Sequence, residues 1–189
     1  MSDGASGSRT QRQRERRRPI GRGHVNRDLR GPIVTRSQLE VSPEEAWAHA
    51  TSFEGVNYEL GPMLRMTAPR EVRAAGLEAV VPGERLCRSW VLLFGVLPVD
   101  YDDITVERID PPRGFLERSP MLSQREWEHE RTIEPVESGC VLTDSIRWVP
   151  RLPAPDRLVG RIVIATFGHR HKRLRRRCGG RELPSPSVL

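Results

Sequence analysis

The stretch REWEHERTIEPVESGCVLTDSIRW, residues 125–148, decides the fold prediction because it alternates like two strands joined by a turn at PVESG. Successive side chains of a strand point to opposite faces, so every second residue shares a face. One shared face carries Trp127, His129, Arg131, Ile133, Leu142, Asp144, Ile146 and Trp148. That face mixes large apolar groups with ionisable ones, which neither a dry core nor a solvated surface favours. The hairpin therefore predicts a half-hydrated internal cavity, and it does not identify the ligand.

The residues before the hairpin predict a strand, two short helices and further strands. A strand over 33–41 ends at Ser42-Pro43-Glu44-Glu45, which has the residues of a helix N-terminal capping box. A helix over 43–53 and a short helical piece over 56–60 follow. From about residue 70 onward the pattern predicts closely spaced strands, and tight turns between them indicate an antiparallel meander. Those strands are predicted over 85–99, 103–109 and 115–119.

One long helix is predicted at the end of the chain, from Pro155 to Cys178, with Gly179 just past it. Two neighbouring lines of apolar residues, one of which includes Ile162, give it a broad apolar stripe. At 1.5 Å per residue it would span about 36 Å, enough to cross a whole sheet. The predicted class is α+β: a curved antiparallel sheet wrapped around a long C-terminal helix, with two short helices after the first strand. A cavity is expected between sheet and helix.

Charge and composition divide the chain of 189 residues into three parts. Residues 1–30 hold nine arginines against three acidic residues, few apolar side chains and no periodicity, which predicts a disordered basic tail. Residues 31–179 are predicted to form one ligand-binding domain. Residues 180–189 are predicted to be a flexible C-terminal tail. Residues 1–30 and 169–189 each carry a net charge of +6. Because the whole chain has a net charge of +6, the part between them is acidic.

Several classes of function are disfavoured by what the sequence lacks. The three cysteines are far apart and form no CxxC pair, which disfavours a disulfide framework or a zinc cluster and favours a reducing cytoplasm. His169 and His171 lie two apart on the predicted helix, so their rings point in different directions and no metal site is predicted. No apolar run is long enough for a membrane span. Motifs of the common cofactor enzymes are missing, and no cofactor is predicted.

The element order resembles that of the START-related helix-grip superfamily, within it the bacterial group labelled SRPBCC or polyketide cyclase/dehydrase-like. The segments WEHER (127–131), GCVLTD (139–144) and FGHRHKRL (167–174) carry the resemblance, which covers roughly 33–178. The basic N-terminal tail is not part of the family pattern. The resemblance implies a hydrophobic-ligand pocket between the sheet and the C-terminal helix. Known members include lipid transporters, plant hormone binders and aromatase/cyclases.

The candidate site consists of a polar end and an apolar wall. His129, Arg131 and Asp144 could orient a ligand or act as an acid/base set, or they could be a structural ion pair under the helix. If Arg131 points inward, its partner should be Asp144 or water. The apolar wall could enclose a pocket of about 300–1,000 Å³, or it could be a collapsed core. The predicted ligand-binding residues are Trp90, Leu92, Phe94, Trp127, His129, Arg131, Asp144, Ile146, Trp148 and Ile162.

Three functions follow from these observations. The first is binding of a hydrophobic small molecule such as a lipid, a polyketide or an aromatic metabolite. The second is a cofactor-free polyketide aromatase/cyclase, in which His129 is the acid/base and Arg131 polarises a carbonyl. The third is an adaptor for nucleic acid or an anionic membrane, acting through the arginine-rich tail and the run over 169–177, although that run also suits a solvated helix end. The oligomeric state is left open.

Overall fold

The computed structural model describes residues 29–76, 80–153 and 155–185. The part of the chain that it describes forms eight strands and four helices. The strands are β1 (Arg30–Leu39), β2 (Leu64–Met66), β3 (Arg85–Leu93), β4 (Leu97–Asp110), β5 (Gly114–Ser119), β6 (Gln124–Val136), β7 (Gly139–Pro150) and β8 (Arg181–Leu183). The helices are α1 (Pro43–Ala50), α2 (Phe53–Leu60), α3 (Arg70–Ala75) and α4 (Asp156–Cys178).

All eight strands form one antiparallel sheet in the order β2-β3-β4-β5-β6-β7-β1-β8. The strands β3 to β7 follow each other in sequence and in space, which is the meander that the turn spacing predicts. β1 closes the sheet beyond β7, and the short β8 pairs with the far side of β1. The predicted α+β class, with a long C-terminal helix gripped by the sheet, is confirmed.

In the β6–β7 hairpin, the residues predicted to share a face lie opposite one another. Arg131 lies opposite Asp144, and Trp127 lies opposite Trp148. The loop between β6 and β7 contains only Glu137 and Ser138, and Gly139 follows it with a φ of 128°. A Cβ at Gly139 would stand 2.1 Å from the carbonyl oxygen of Leu39, so this turn requires glycine.

Local signals also fix the helix termini. Ser42 is the N-cap of α1, and its side chain accepts a hydrogen bond from the backbone N–H of Glu45 at 3.1 Å. Ser52 caps α2 in the same way through Gly55. The last turn of α4 carries three arginines, whose positive charges interact favourably with the negative end of the helix dipole.

Two apolar clusters hold the helices against the sheet. One lies under α1 and the C-terminal half of α4, and it contains Leu39, Ala46, Trp47, Ile133, Cys140, Leu142 and Leu174. The other lies under the middle of α4, and it contains Ile146, Trp148, Val163 and Phe167. Both clusters lie on the β6–β7–β1 side of the sheet. The two clusters therefore leave unfilled space over the side of the sheet formed by β3, β4 and β5.

Three sequence predictions about elements need correction. Residues 70–75 form the helix α3, where strands were expected to begin. Arg181–Leu183 form β8, which pairs with Arg36–Gln38, so this part of the predicted flexible tail belongs to the sheet. The segment expected as one strand over 85–99 is the hairpin β3–β4, which turns at 94–96. The predicted disordered tail lies, up to residue 28, outside the described residues.

Candidate functional site

A cavity of about 670 Å³ lies between the inner face of the sheet, α2 and the N-terminal half of α4. That volume falls within the range of small-molecule binding sites. Its lining is mostly apolar. The apolar side chains come from α2, from strands β2 to β6 and from α4, and they include Phe53, Val56, Leu60, Met66, Val91, Ile104, Val106, Phe115, Trp127, Val159, Val163 and Phe167.

The cavity opens to solvent where exposed apolar residues meet its lining. Leu122 and Leu152 line the cavity, and they are 50% and 76% exposed. Val99 on β4 and Ile162 on α4 also line it and are exposed. These four residues mark the entrance, between the β5–β6 connection and the start of α4.

Polar groups are concentrated in one part of the lining. Asp100 and Asp102 project from β4, Glu117 from β5, and Gln124 and His129 from β6. Arg170 on α4 completes this set. The cavity thus combines a large apolar wall with a small group of convergent polar side chains, which is the usual composition of a ligand site.

His129 connects the cavity to a buried ionic network. Its Nε2 lies 2.9 Å from Oδ1 of Asp144, and its Nδ1 lies 3.7 Å from Oε2 of Glu117. The rings of Phe115 and Phe167 contact the imidazole edge-to-face, with centroids 5.2 Å and 5.3 Å away. Because Asp144 is an ionised acceptor, it fixes Nε2 as a donor and leaves Nδ1 facing Glu117.

Arg131 is the centre of that network, and it is fully buried. Its Nε and one terminal nitrogen donate to Asp144 at 2.7 Å, and both terminal nitrogens donate to Glu59 at 3.0 Å. Arg170 donates to the same Glu59 at 2.8 Å. His171 Nε2 lies 3.1 Å from Asp144 Oδ2. Two guanidinium groups therefore face two carboxylates, which balances the charge that burial would otherwise penalise.

The pKa values of the network follow from that balance. Burial alone would raise the pKa of Glu59, but the charges of Arg131 and Arg170 outweigh it and hold the pKa below its usual range. Burial opposes ionisation of Asp144 too, yet Arg131 and His129 hold its pKa well below the usual range. Both carboxylates are thus ionised at neutral pH, and the network is an assembly of fixed charges.

Three of the ten residues predicted to bind a ligand line the cavity, namely Trp127, His129 and Ile162. Arg131 and Asp144 point inward and pair as predicted, but they lie behind the wall, sealed from solvent and from the cavity lining. Their arrangement is the structural ion pair that the sequence left open, with Glu59 as an additional partner.

Ile146 and Trp148 are also inward-facing without lining the cavity. They share the predicted face with His129 and Trp127, their cross-strand partners. The difference lies in α4, which packs Val163 and Phe167 onto the β7 side and fills the space there. The alternation on β7 predicts correctly that both residues face inward. It does not predict whether they line the cavity, because that depends on where α4 crosses the sheet.

Trp90, Leu92 and Phe94 do not line the cavity, which corrects the predicted wall on β3. Trp90 is 44% exposed and packs edge-to-face on Tyr101 of β4, while Phe94 is 69% exposed in the β3–β4 turn. The cavity is reached instead by Leu86 and Val91. The register between β3 and β4 shifts twice, between Arg85 and Cys87 and between Val91 and Leu92, which makes the simple alternation unreliable there.

Several residues of the site were not singled out from the sequence. A signal existed for Glu117, because it shares a face with Phe115 on the predicted strand over 115–119. Asp100 and Asp102 line the same cavity but fall between two predicted strands. Glu59, Arg170 and His171 gave no such signal, since they meet Arg131 and Asp144 only through the packing of α2 and α4 on the sheet.

The arginine run at the end of α4 makes many contacts within the molecule. Arg173 donates to the carbonyl of Tyr58 at 3.0 Å, and Arg175 donates to Ser37 and pairs with Glu182. His169 and His171 contact different partners, the carbonyl of Gly61 and the carboxylate of Asp144. Binding of nucleic acid or an anionic membrane through this run stays a prediction, and much of the run's charge is already engaged.

Two further findings concern membranes and metals. None of the helices in the described ranges is both long and apolar enough to cross a bilayer. Within residues 29–76, 80–153 and 155–185, no group of three or more His, Cys, Asp or Glu side chains is arranged to hold a metal ion.

A long C-terminal helix gripped by a curved antiparallel sheet, with a cavity between them, is the helix-grip fold seen in START-like structures. Residues 37–178 match the family described as Domain of unknown function (DUF8410), and the chain belongs to that family. A comparison with curated proteins finds no match.

Solved structures with the same fold are similar to this chain at low sequence identity. A START superfamily protein from Mycobacterium smegmatis is 14% identical with a TM-score of 0.57, and the match covers 77% of this chain and 95% of that one. A protein from Chromobacterium violaceum is 12% identical with a TM-score of 0.58, covering 79% and 98%. A protein from the dynemicin biosynthetic locus is 18% identical with a TM-score of 0.53, covering 81% of this chain but 49% of that one. At these identities the likeness shows the fold.

Proposed function

We propose that this protein binds an apolar small molecule, such as a lipid, a polyketide or an aromatic metabolite, in the cavity between the sheet and α4. The observation that carries the proposal is the cavity itself, about 670 Å³ with a mostly apolar lining, one polar cluster and an entrance rimmed by exposed apolar side chains. Burying an apolar ligand there would release about 25 cal/mol for each Å² removed from water. The free cysteines Cys87, Cys140 and Cys178 are consistent with a cytoplasmic setting, which is part of the proposal.

The experiment measures binding of the neutral apolar fluorophore N-phenyl-1-naphthylamine, whose emission rises when it leaves water. We expect saturable binding to the wild-type protein. Val106→Trp puts a large side chain into the cavity from β4 and should weaken binding about tenfold, or about 1.4 kcal/mol, because the indole occupies space that the ligand needs. The matched control is Glu107→Trp, which introduces the same side chain at the adjacent position, where it is exposed to solvent.

The control separates cavity binding from adsorption to the surface. If Val106→Trp and Glu107→Trp bind the fluorophore equally well, the cavity is not the binding site. If the wild-type protein shows no saturable binding, the proposed function is wrong.

A second candidate is an acid/base enzyme acting on a ketone, the cyclase-like alternative. The observation that favours it is His129, which lines the cavity and is held by Asp144. Arg131 cannot polarise a ligand carbonyl directly because it is sealed behind the wall, so His129 is the candidate general acid or base. Turnover of a poly-β-ketone that survives His129→Ala unchanged would exclude this role.

A further inference from the structure

This inference rests on the proposed function and concerns the chemistry of the ligand. The relevant feature is the acidic wall, by which we mean Asp100, Asp102, Glu117 and Gln124. The first two alternate along β4, Glu117 lies on the neighbouring β5, and Gln124 is the first residue of β6. The acidic wall lies near the entrance, since Leu122 and Ser123 of the β5–β6 connection line the cavity beside it.

The acidic wall has acceptors that the protein leaves without donors. Oδ1 of Asp102 and Oε1 of Gln124 are buried and accept no hydrogen bond from the described residues. Asp102 is 4% exposed and Gln124 is 8% exposed. Buried polar atoms usually have partners, and each missing partner costs free energy. A wall with spare acceptors is suited to a ligand that brings donors.

Cations of the protein do not neutralise this wall. Among the described residues that line the cavity, Arg170 and His129 are the only basic ones. Arg170 is bound to Glu59, and His129 is shared between Asp144 and Glu117. On the other face of β4, two arginines are paired with Asp103, which does not line the cavity. An anionic headgroup would thus meet carboxylates with no guanidinium free to receive it.

Asp102 and Glu117 behave as a carboxyl pair. Burial raises the pKa of Asp102 well above its usual range, and the negative charge of Glu117 raises it further. Glu117 accepts a hydrogen bond from Ser119 at 2.7 Å and faces His129, and it stays ionised with a lowered pKa despite its burial. With the pKa of Asp102 raised and that of Glu117 lowered, a proton held by this pair resides on Asp102. Asp100 adds a negative charge beside Asp102, and His129 faces Glu117.

We propose that the ligand carries a protonated amine on an apolar body, and that the ammonium group binds against the acidic wall at Asp102 and Glu117. Ammonium supplies three donors, which satisfy acceptors that the protein leaves open. Binding breaks the O–H bond of Asp102, and that proton passes to solvent while the ammonium keeps its own three N–H bonds. One cation thus replaces one proton, and the charge of the site is unchanged.

The experiment compares three ligands with the same decyl chain: decylamine, decanol and decanoate. Each competes with N-phenyl-1-naphthylamine, and calorimetry follows the direct titrations. We expect decylamine to bind about tenfold tighter than decanoate, equivalent to about 1.4 kcal/mol, and tighter than decanol. Titrations in buffers of different ionisation enthalpy should show proton release with decylamine and none with decanol.

Two variants on adjacent positions of β4 locate the effect. Asp102→Asn keeps the shape of the side chain but cannot become an anion, so the proton release should disappear and the preference for decylamine should weaken, with Glu117 left as the single carboxylate of the pair. Asp103→Asn removes a carboxylate from the opposite face, where Asp103 pairs with Arg88, and should leave both intact.

The outcomes separate this inference from the proposed function. Decanoate or decanol binding as tightly as decylamine overturns the inference while leaving an apolar site in place. The same holds if Asp103→Asn reduces the preference and the proton release as much as Asp102→Asn does. A protein that binds neither the fluorophore nor any decyl compound contradicts the proposed function, and the inference falls with it.

Discussion

Arg131 is a charged side chain that solvent does not reach, and its place in the molecule depends on Asp144 and Glu59. Removing one member of a buried ion pair leaves the others charged and uncompensated, which is more costly than never having built the pair. The surrounding network of Arg170 and His171 cannot supply the missing contacts, because each already has a partner on the same carboxylates.

We expect Arg131→Met to lower the free energy of unfolding by about 3–5 kcal/mol, because Glu59 and Asp144 would keep their charges without the central guanidinium. Guanidinium chloride unfolding followed by tryptophan fluorescence measures the change. The control is Arg113→Met, an exposed arginine at the β4–β5 turn, which should change stability by about 0.5 kcal/mol or less. Equal effects of the two substitutions would contradict a structural role for the network.

Asp102 gives a pH dependence of opposite sign to that of the network. Its pKa is raised in the folded protein, so the folded state holds a proton that the unfolded chain releases above its ordinary value of 3.8. The folded state therefore loses stability as pH rises from there toward the raised pKa. In Asp102→Asn this loss is absent. We expect the melting temperature of Asp102→Asn, relative to wild type, to increase as pH rises above 3.8. Thermal unfolding by circular dichroism tests this, and a constant difference would contradict it.

The start of helix α1 is fixed by a short sequence signal, the capping residue Ser42. Its N-cap hydrogen bond, from the backbone N–H of Glu45 to Ser42, was predictable from four consecutive residues. We expect Ser42→Ala to lower the free energy of unfolding by about 1 kcal/mol, since one N–H of the first turn loses its acceptor. Ser42→Asp should retain wild-type stability because aspartate also caps helices. Urea unfolding of both variants tests the role of the cap, and equal loss in both would contradict it.

The elements differ in how much of their structure the sequence predicts. The shared face of the β6–β7 hairpin was predictable because its turn is short and its residues alternate, so Asp144 could be placed on the same face as Arg131, opposite either Arg131 or Ile133. On β3 the same reasoning failed, because the register is irregular and the large side chains of Trp90 and Phe94 lie outside. Local alternation predicts which residues share a face only while the strand stays regular.

Contacts between distant elements were the part of the site that the sequence did not predict. Glu59 reaches Arg131 only because α2 packs against the sheet, and Arg170 reaches Glu59 only because α4 crosses it. Neither contact leaves a period or a motif in the chain. Glu117 could have been found, since it shares a face with Phe115 on the predicted strand over 115–119, whereas Asp100 and Asp102 fall between two predicted strands.

The whole molecule is tightly packed on one side and open on the other. Over β6, β7 and β1, α4 and α1 bury two apolar clusters, and the ionic network lies beside them under α2. Over β3, β4 and β5 the same helix stands away from the sheet and leaves the cavity. The packed half can therefore hold the fold while the open half admits a ligand, so changes in the cavity lining should affect binding more than folding.

This division predicts a ligand-dependent stability of the whole molecule. A ligand that binds only the folded state adds about 2.7 kcal/mol at 100 times its dissociation constant. For a protein of this size that corresponds to a rise in melting temperature of about 5–10 °C. We expect N-phenyl-1-naphthylamine to produce this rise in the wild-type protein and in Glu107→Trp, measured by calorimetric scanning.

Val106→Trp should fold and melt within a few degrees of wild type, yet show a much smaller ligand-induced rise at the same concentration. The reason is that Val106 lines the open half and lies outside both apolar clusters that hold the helices to the sheet. If Val106→Trp unfolds the protein instead, the cavity wall is part of what stabilises the fold. If its ligand-induced rise equals that of the wild type, the ligand stabilises the protein from another site.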